Sequence, residues 1–277
     1  MKLYQSKFAR RLFFSVFSRL NLGDIYIRHH YTGDKLFLHS YRHKGYWFHG
    51  KNRERETMLL FEKLIEPNNT IIEIGGHIGY ISMYFAWLVG PNGHVHVFEP
   101  GPNNLPYLQR NLAKYPNISI HTQAVGRENS QLPFYVENLT GQNNTLLQHF
   151  DVYEANRSHA YSKEQYDTVI VDVIRLDSFV EEHAVQPDFV KIDVEGAELE
   201  VIRGMIGCLE THKPGLMIEF NTPEWEIYET LTRLGYIIFD GQQHVIHSTE
   251  QVLHGNIFAL HSVEHAKILT NLELTYD

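Results

Sequence analysis

The stretch Thr70-Ile71-Ile72-Glu73-Ile74-Gly75-Gly76-His77-Ile78-Gly79-Tyr80 decides the fold of this chain. Its apolar, β-branched beginning predicts a buried strand, and its glycines predict a turn that lacks Cβ atoms at those positions. The apolar residues that follow Tyr80 predict a helix. The first N–H groups of a helix have no partner within it and carry partial positive charge, so they attract anions. We therefore expect the turn to hold a cofactor with a carboxylate or phosphate group.

Strands and helices alternate after this unit, which predicts a parallel sheet with helices on its faces. Predicted strands cover residues 94–99, 118–122, 131–136, 169–174, 189–193, 216–220, 236–239 and 256–261. Predicted helices cover residues 53–65, 80–86, 102–114, 176–180, 197–206 and 223–234. The polar, asparagine-rich residues 137–166 predict a long loop, and long loops in compact folds are usually functional or mobile.

Residues 1–52 precede this alternation as an expected N-terminal extension, and residues 53–277 form the expected main domain. Apolar residues recur every four positions over residues 1–20 and basic residues lie between them, which predicts an amphipathic helix. Its longest uncharged apolar run is too short to span a membrane. The helix can pack on its own domain, form a homodimer contact or lie on a membrane surface. Residues 25–49 predict β-structure, with a hairpin turn at residues 32–34.

Composition and charge exclude several classes of protein. The 277-residue chain has a formal net charge of −9. This charge argues against a nucleic-acid partner, because phosphate contacts require clustered lysine and arginine. The single cysteine, Cys208, excludes an intramolecular disulfide and favours a reducing, cytoplasmic compartment. The sequence shows no paired Cys/His spacing, so no structural zinc site is expected.

The glycine spacing and a second acid narrow the choice of cofactor. A dinucleotide fold places Gly-x-Gly-x-x-Gly after its first strand, and residues 75–79 miss that spacing. Glu99 ends the next predicted strand, where a carboxylate can accept hydrogen bonds from both ribose hydroxyls. That feature serves NAD and S-adenosylmethionine equally, so these residues alone leave both cofactors open.

An ordered series of short motifs makes the pattern more specific. The chain carries Glu73-x-Gly75-Gly76-x-x-Gly79, Val97-Phe98-Glu99-Pro100, Gln123-Ala124-Val125-Gly126, Leu176-Asp177, Lys191-Ile192-Asp193-Val194-Glu195-Gly196-Ala197-Glu198, Ile218-Glu219 and Asn256-Ile257-Phe258. This series resembles the FkbM-type S-adenosylmethionine-dependent methyltransferase family, over residues 56–261. The resemblance implies an α/β, Rossmann-like class I methyltransferase fold with a seven-stranded, mostly parallel sheet. It also implies O-methylation of sugars, polyketides or glycolipid-like acceptors.

The same resemblance implies a set of cofactor-binding residues, namely Glu73, Gly75, Gly76, His77, Gly79, Glu99, Pro100, Gln123, Ala124 and Asp193. The glycine-rich turn would take the methionine part of the donor, whose carboxylate would face helix N–H groups. Glu73 would orient the turn or the donor ammonium, and Glu99 would bind the ribose. Gln123 and Ala124 would border the adenine. The family more often has Gly-Ala-Asn at residues 75–77, so His77 either keeps a hydrogen bond to the cofactor or alters the pocket.

Three acids, Asp193, Glu195 and Glu219, are the expected catalytic residues, because they follow two neighbouring strands at the edge where open α/β sheets bind ligands. An acceptor hydroxyl must lose its proton near the transition state, so a base is useful. We expect Asp193 to contact the donor, Glu195 to act as the base and Glu219 to assist. The three carboxylates could alternatively hold Mg²⁺. Stabilisation of a helix dipole is a competing explanation for Glu195.

Two functions of other classes are alternatives to a methyltransferase. A non-catalytic binding module of the same fold would require a broken donor site, whereas the donor motifs are intact. An NAD enzyme is disfavoured by the glycine spacing. The acceptor is expected to be a small molecule or glycan, and the predicted hairpin and the loop over residues 137–166 are its expected walls.

Overall fold

The computed structural model describes residues 22–137, 140–146, 166–220, 224–247 and 255–275. The chain divides into two compact units, Met1–Arg53 and Glu54–Asp277. The helix expected over residues 1–20 lies outside the described residues, as does most of the loop expected over residues 137–166. Among the described residues, no helix has the length and apolar character needed to cross a membrane.

The N-terminal unit contains the predicted hairpin. Strands β1 (Asp24–Arg28) and β2 (Lys35–His39) pair antiparallel and are followed by helix α1 (Lys44–His49). The prediction of β-structure up to residue 49 is wrong, because histidine side chains turn the chain after β2. His39 Nδ1 accepts hydrogen bonds from the N–H groups of Tyr41 and Arg42, each at 3.2 Å.

The second unit carries the alternating elements. Its strands are β3 (Thr70–Ile74), β4 (His94–Phe98), β5 (Ile118–His121), β6 (Ala124–Gly126), β7 (Ser130–Glu137), β8 (Tyr166–Arg175), β9 (Phe189–Ile192), β10 (Gly215–Phe220), β11 (Tyr236–Asp240) and β12 (Gly255–His261). Its helices are α2 (Arg55–Leu64), α3 (Tyr80–Val89), α4 (Leu105–Leu112), α5 (Leu176–Glu182), α6 (Glu198–Arg203), α7 (Ile206–Thr211), α8 (Trp225–Arg233) and α9 (Ala266–Asn271).

Seven of these strands form one sheet in the order β11-β12-β10-β9-β3-β4-β5. The four neighbouring pairs from β10 to β5 are parallel, and only the two pairs that include β12 are antiparallel. The expected seven-stranded, mostly parallel sheet is therefore confirmed. The strand order reverses between β3 and β9, and open α/β sheets bind their ligands at the carboxyl ends of the strands beside such a point.

Helices cover both faces of this sheet. On one face, aromatic side chains from α2, α3, β9 and β12 pack edge to face, with Phe61 4.8 Å from Phe85 and 5.9 Å from Phe189 between ring centroids. On the other face, Ile72, Val190 and aliphatic residues of α5 to α8 form a buried cluster. Successive residues of a strand point to opposite faces, so Glu73 and Lys191 lie on the α2–α3 face.

A second sheet, in the order β6-β8-β7, was not predicted as a separate layer. The strands expected at residues 131–136 and 169–174 pair with each other antiparallel over eight residue pairs. The short strand β6 then joins the other edge of β8 in parallel. Because β6 has three residues, it shows no hydrophobic periodicity that a sequence pattern could reveal.

The single helix predicted over residues 197–206 is wrong in extent, since α6 and α7 are separate helices. Gly204 lies between them, and a Cβ there would lie 2.0 Å from the Gly126 carbonyl oxygen. The Asp177 carboxylate then accepts the N–H groups of Gly207 and Cys208 at 3.1 and 2.8 Å and so caps α7. This break depends on contacts with β6 and α5, which local sequence does not encode.

Candidate active site

The glycine-rich turn packs tightly against the loop that follows β9. Gly75 has φ +90°, and a Cβ at this position would lie 1.8 Å from the Asp193 carbonyl oxygen. The N–H groups of Gly75 and Gly76 both bond to the Phe98 carbonyl, at 3.0 and 3.1 Å. Glycine is thus required here for the close approach of protein backbone, and these two N–H groups serve the fold.

Helix α3 begins directly after Gly79 and offers a place for an anion. Gly79 has φ +85° and no side chain to cap the helix. The first helical hydrogen bond runs from Met83 N–H to the Gly79 carbonyl at 3.0 Å. Because a helix leaves the N–H groups of its first turn without helical partners, this N-terminus fits the carboxylate of a ligand.

His77 adopts a left-handed conformation, with φ +47°. Asn, Asp and His enter this region more readily than most residues, which explains why His is tolerated at this position. The His77 N–H donates to Glu99 Oε2 at 2.7 Å, and His77 Nε2 lies 3.4 Å from the Thr140 carbonyl oxygen. His77 therefore links the turn to the end of β4.

Glu99 lies directly after β4 and is 4% exposed. Besides the His77 bond, its Oε1 accepts Gly101 N–H at 2.8 Å and Asn104 Nδ2 at 3.2 Å. Burial raises the pKa of Glu99 to about 7, although these donors favour the ionised form. A carboxylate fixed by three donors at this strand end is suited to recognise ribose hydroxyls.

A buried cation, Lys191, connects the glycine-rich turn to the loop that follows β9. Its Nζ lies 3.1 Å from Asp193 Oδ2 and 3.5 Å from Glu73 Oε1, and it donates to the Gly75 carbonyl at 3.0 Å. Glu73 Oε2 accepts the Ser82 hydroxyl at 2.5 Å. Glu73 therefore contacts β9 and α3 within the protein interior, where it is 1% exposed.

Burial and mutual attraction shift the pKa values of Lys191, Glu73 and Asp193. Burial opposes the charged form of Lys191, but Asp193 and Glu73 raise its pKa above the ordinary value. Burial raises the pKa of Glu73 to about 7, against the attraction of Lys191. Burial also opposes the charged form of Asp193, yet Lys191 holds its pKa below the usual range. Asp193 is thus the anion that pairs with Lys191.

Asp193, Glu195 and Glu219 come together at the carboxyl ends of β9 and β10. One ligand oxygen from each lies within 4.8 Å of the other two, and all three residues are half-buried. The structure therefore brings the three expected catalytic residues into one cluster beside Gly75. Such a set of hard oxygen atoms could also hold a divalent cation.

Repulsion and burial keep protons on two of these acids. The Asp193 charge and a hydrogen bond with Asp193 raise the pKa of Glu219 to about 10. Burial, together with the Asp193 and Glu198 charges, raises the pKa of Glu195 to about 8. In the ligand-free protein at neutral pH, Asp193 therefore carries the negative charge of the cluster.

The remaining residues that were predicted to bind the methyl donor are Pro100, Gln123 and Ala124. Pro100 follows Glu99 and is half-buried, as is Gln123. Ala124 opens β6 and is 5% exposed in the hydrophobic cluster of the second sheet. Their contact with an adenine remains a prediction.

Sequence reasoning missed three residues of the site: Lys191, Asn104 and Thr145. The signal for Lys191 was a charged residue inside a buried, otherwise apolar strand, since lysine is almost never fully buried without a partner. Asn104 and Thr145 gave no such signal. Asn104 is an ordinary polar residue that bonds to Glu99 and to Gly141. Thr145 bonds to the Glu195 carbonyl, which lies 50 positions away in the chain.

The sequence of this chain is similar to those of known methyltransferases. A family model described as the methyltransferase FkbM domain matches residues 73–246. Methyltransferase 1 of Beauveria bassiana is 30% identical over 144 residues, which cover 49% of this chain and 57% of that protein. Hexuronic acid methyltransferase AglP of Haloferax volcanii is 26% identical over 160 residues, which cover 57% of this chain and 59% of that protein.

Among solved structures, methyltransferase FkbM from Methylobacillus flagellatus KT is similar with a TM-score of 0.45 and 17% identity. That similarity covers 73% of this chain and 50% of the other. The chain spans less than two thirds of the length of each of these three proteins.

Proposed function

Because this chain belongs to the FkbM methyltransferase domain family, we propose that it transfers a methyl group from S-adenosylmethionine to a hydroxyl group of a sugar, glycan, glycolipid or polyketide-like acceptor. The observation that carries the proposal is the cluster of Asp193, Glu195 and Glu219 beside the Gly75 turn, at the reversal point of the sheet. The family predicted from the short motifs is confirmed by the family match.

The donor site is proposed to use two fixed features. Glu99 would accept the ribose hydroxyls, and the N-terminus of α3 would take the carboxylate of the methionine part. The hydrogen bond from the His77 N–H to Glu99 joins the glycine-rich turn to the end of β4. Bound S-adenosylmethionine supplies an electrophilic methyl group on a sulfonium, which leaves as a neutral thioether when the new C–O bond forms.

The chain's own residues must align the acceptor and take its proton. Glu195 is the proposed base: it would accept the proton of the acceptor hydroxyl group, whose oxygen receives the methyl group. A positioned base of this kind contributes about 10²–10⁴-fold to rate. Glu195 would lose its own proton more readily beside a positive sulfonium than in the ligand-free protein. Asp193 would contact the donor and shape the methyl pocket, with its charge maintained by Lys191, and Glu219 would assist.

The class of acceptor is supported by two observations. A relative carries the name hexuronic acid methyltransferase, which favours a sugar as the acceptor. The site residues are carboxylates in a chain of net charge −9, which disfavours nucleic acid. Cytoplasmic location, a homodimer and peripheral membrane contact through residues 1–20 remain proposals.

Calorimetric titration with S-adenosylmethionine and S-adenosylhomocysteine tests the proposal directly. We expect both to bind, and Glu99→Ala to abolish or strongly weaken both affinities. Asp177→Ala is a matched control, because Asp177 is also a carboxylate that holds two backbone N–H groups but caps α7. A folded wild-type protein that binds neither molecule would support the binding-module function instead, and binding of NAD alone would support the NAD enzyme.

The identity of the acceptor and the requirement for a metal ion are tested by measuring turnover of the wild-type protein as release of S-adenosylhomocysteine. A panel of hexuronic acids, neutral sugars and glycolipids should contain an active acceptor. Magnesium at the acidic cluster is the alternative to carboxylate base catalysis. Loss of turnover after EDTA treatment, restored by Mg²⁺, would favour that alternative.

A further inference from the structure

Residues 140–146 form a short segment, here named the clasp, that contacts the proposed ribose side of the site. Asn104 Nδ2 donates both to Glu99 Oε1 at 3.2 Å and to the Gly141 carbonyl at 2.9 Å. Asn104 is 2% exposed, so this bridge is shielded from water. The clasp is therefore attached to the carboxylate that is proposed to bind the donor.

The other end of the clasp contacts the loop of the proposed base. The Thr145 hydroxyl donates to the Glu195 carbonyl at 3.0 Å. The Thr145 backbone pairs with Tyr135 in β7 through bonds of 2.8 and 3.1 Å. Thr145 thus fixes the Glu195 backbone relative to the second sheet.

The shape of the clasp is set by buried polar contacts. Glu137 is 1% exposed, and its Oε2 accepts Thr140 N–H at 2.8 Å and Gly141 N–H at 2.9 Å. Asn144 Oδ1 accepts the Glu137 N–H at 2.8 Å, and Asn144 Nδ2 donates to Asn103 Oδ1 at 2.9 Å. Buried hydrogen bonds of this kind make the clasp a defined element that can transmit a position.

The Glu195 backbone needs such support because it is in an unfavourable conformation. Glu195 has φ +49° and is followed by Gly196 at φ +93°. A residue other than glycine in this region persists only when its surroundings hold it there. The Gly196 N–H is held by Glu198 Oε1 at 2.9 Å, and the Glu195 carbonyl by Thr145.

From these contacts we propose that Thr145 is a positioning residue, which holds the base Glu195 in register with a donor bound at Glu99 through the clasp. The proposal rests on the proposed function, because it requires a donor at Glu99 and a base at Glu195. It adds a physical connection between donor binding and the acceptor side of the site.

The ratio of the affinities for S-adenosylmethionine and S-adenosylhomocysteine measures the position of Glu195, and this measurement requires no acceptor. S-adenosylmethionine carries the sulfonium charge and S-adenosylhomocysteine does not, so the ratio of their Kd values reports nearby negative charge. Moving a carboxylate by about 1 Å at a distance of about 5 Å changes this ratio ~2–3-fold, at an effective dielectric constant of about 20. The ratio should be measured by calorimetry from pH 6.5 to about pH 9, across the range in which Glu195 ionises.

Three variants separate positioning from general structure. Thr145→Val removes the hydroxyl at nearly constant shape, and Thr145→Ser keeps it. Thr270→Val is the matched control, because the Thr270 hydroxyl also donates to a backbone carbonyl, that of Ala266 at 2.8 Å, but lies in α9 outside the clasp. We expect Thr145→Val alone to lower the preference for S-adenosylmethionine at high pH by ~2–3-fold, with an unchanged Kd for S-adenosylhomocysteine.

Other outcomes would overturn either the role of Thr145 or the proposed function. A Thr145→Val protein with the wild-type ratio at every pH would overturn the role of Thr145. Equal weakening of both affinities, or the same loss in Thr145→Ser, would also overturn it, since either result indicates only structural damage. Wild-type protein that binds neither compound would instead overturn the proposed function.

Discussion

The backbones of Gly75 and Asp193 are in direct contact: a Cβ on Gly75 would lie 1.8 Å from the Asp193 carbonyl oxygen. The Asp193 N–H also bonds to the Ile74 carbonyl at 3.0 Å. The position of the glycine-rich turn therefore depends on the position of the loop that follows β9, and the reverse also holds.

Gly75→Ala should lower the free energy of unfolding by about 2–4 kcal/mol, because it adds backbone strain to a collision with main-chain atoms. Gly235→Ala is the control, since Gly235 has φ +85° but its nearest contact is His261 at 3.4 Å. That variant should lose only about 1–2 kcal/mol. Urea unfolding measures both values, and equal losses would contradict the proposed contact.

Lys191→Met should destabilise the protein by about 3–5 kcal/mol, because it leaves the buried Glu73 and the half-buried Asp193 without their cation. Adding Glu73→Gln should recover part of this loss, because Glu73 no longer requires a positive partner. A double-mutant cycle from urea unfolding measures the coupling. Strictly additive losses would show that Lys191 and Glu73 do not interact.

Glu195→Gln should lower turnover about 10²–10⁴-fold with a nearly unchanged Kd for S-adenosylhomocysteine. The matched control is Glu198→Gln, which changes a neighbouring acid that bonds to Gly196 N–H and should keep most of the turnover. Burial raises the pKa of Glu195 to about 8, so kcat/KM for S-adenosylmethionine, which reports the free enzyme, should rise with pH up to that value in the wild type. Wild-type turnover in Glu195→Gln would remove Glu195 from the mechanism.

A histidine pair between β4 and β5 should lower the free energy of unfolding at acid pH. His96 Nδ1 lies 3.2 Å from His121 Nε2, and burial lowers the pKa of each to about 4. The unfolded chain binds protons near pH 6.5 and the folded protein does not, so stability is lost as pH falls from about 6.5 to 4. Because both side chains are partly exposed, we expect a total loss of only about 1–2 kcal/mol.

His121→Gln should reduce that pH dependence, whereas His212→Gln, at the end of α7, should leave it unchanged. Unfolding free energies at pH 7 and about pH 4.5 provide the comparison. An identical pH dependence in wild type and His121→Gln would contradict the effect of the pair.

The sequence alone determined the alternation of strands and helices along the chain, because hydrophobic runs and glycine turns are local signals. The number of strands in the central sheet was implied by the family resemblance. The stretch from Thr70 to Tyr80 has the predicted strand, turn and helix. The acids after β9 and β10 follow from the same logic, since parallel strands present their carboxyl ends at one edge.

Only the tertiary structure decided how those residues are held and charged. Lys191 pairs with Glu73 across β9 and β3, and Thr145 reaches Glu195 from 50 positions away in the chain. The second sheet and the break between α6 and α7 likewise depend on contacts between distant segments. The physical reason is that periodicity reports which face of an element is buried, whereas ionisation and hydrogen bonding depend on the groups that folding places within a few ångströms.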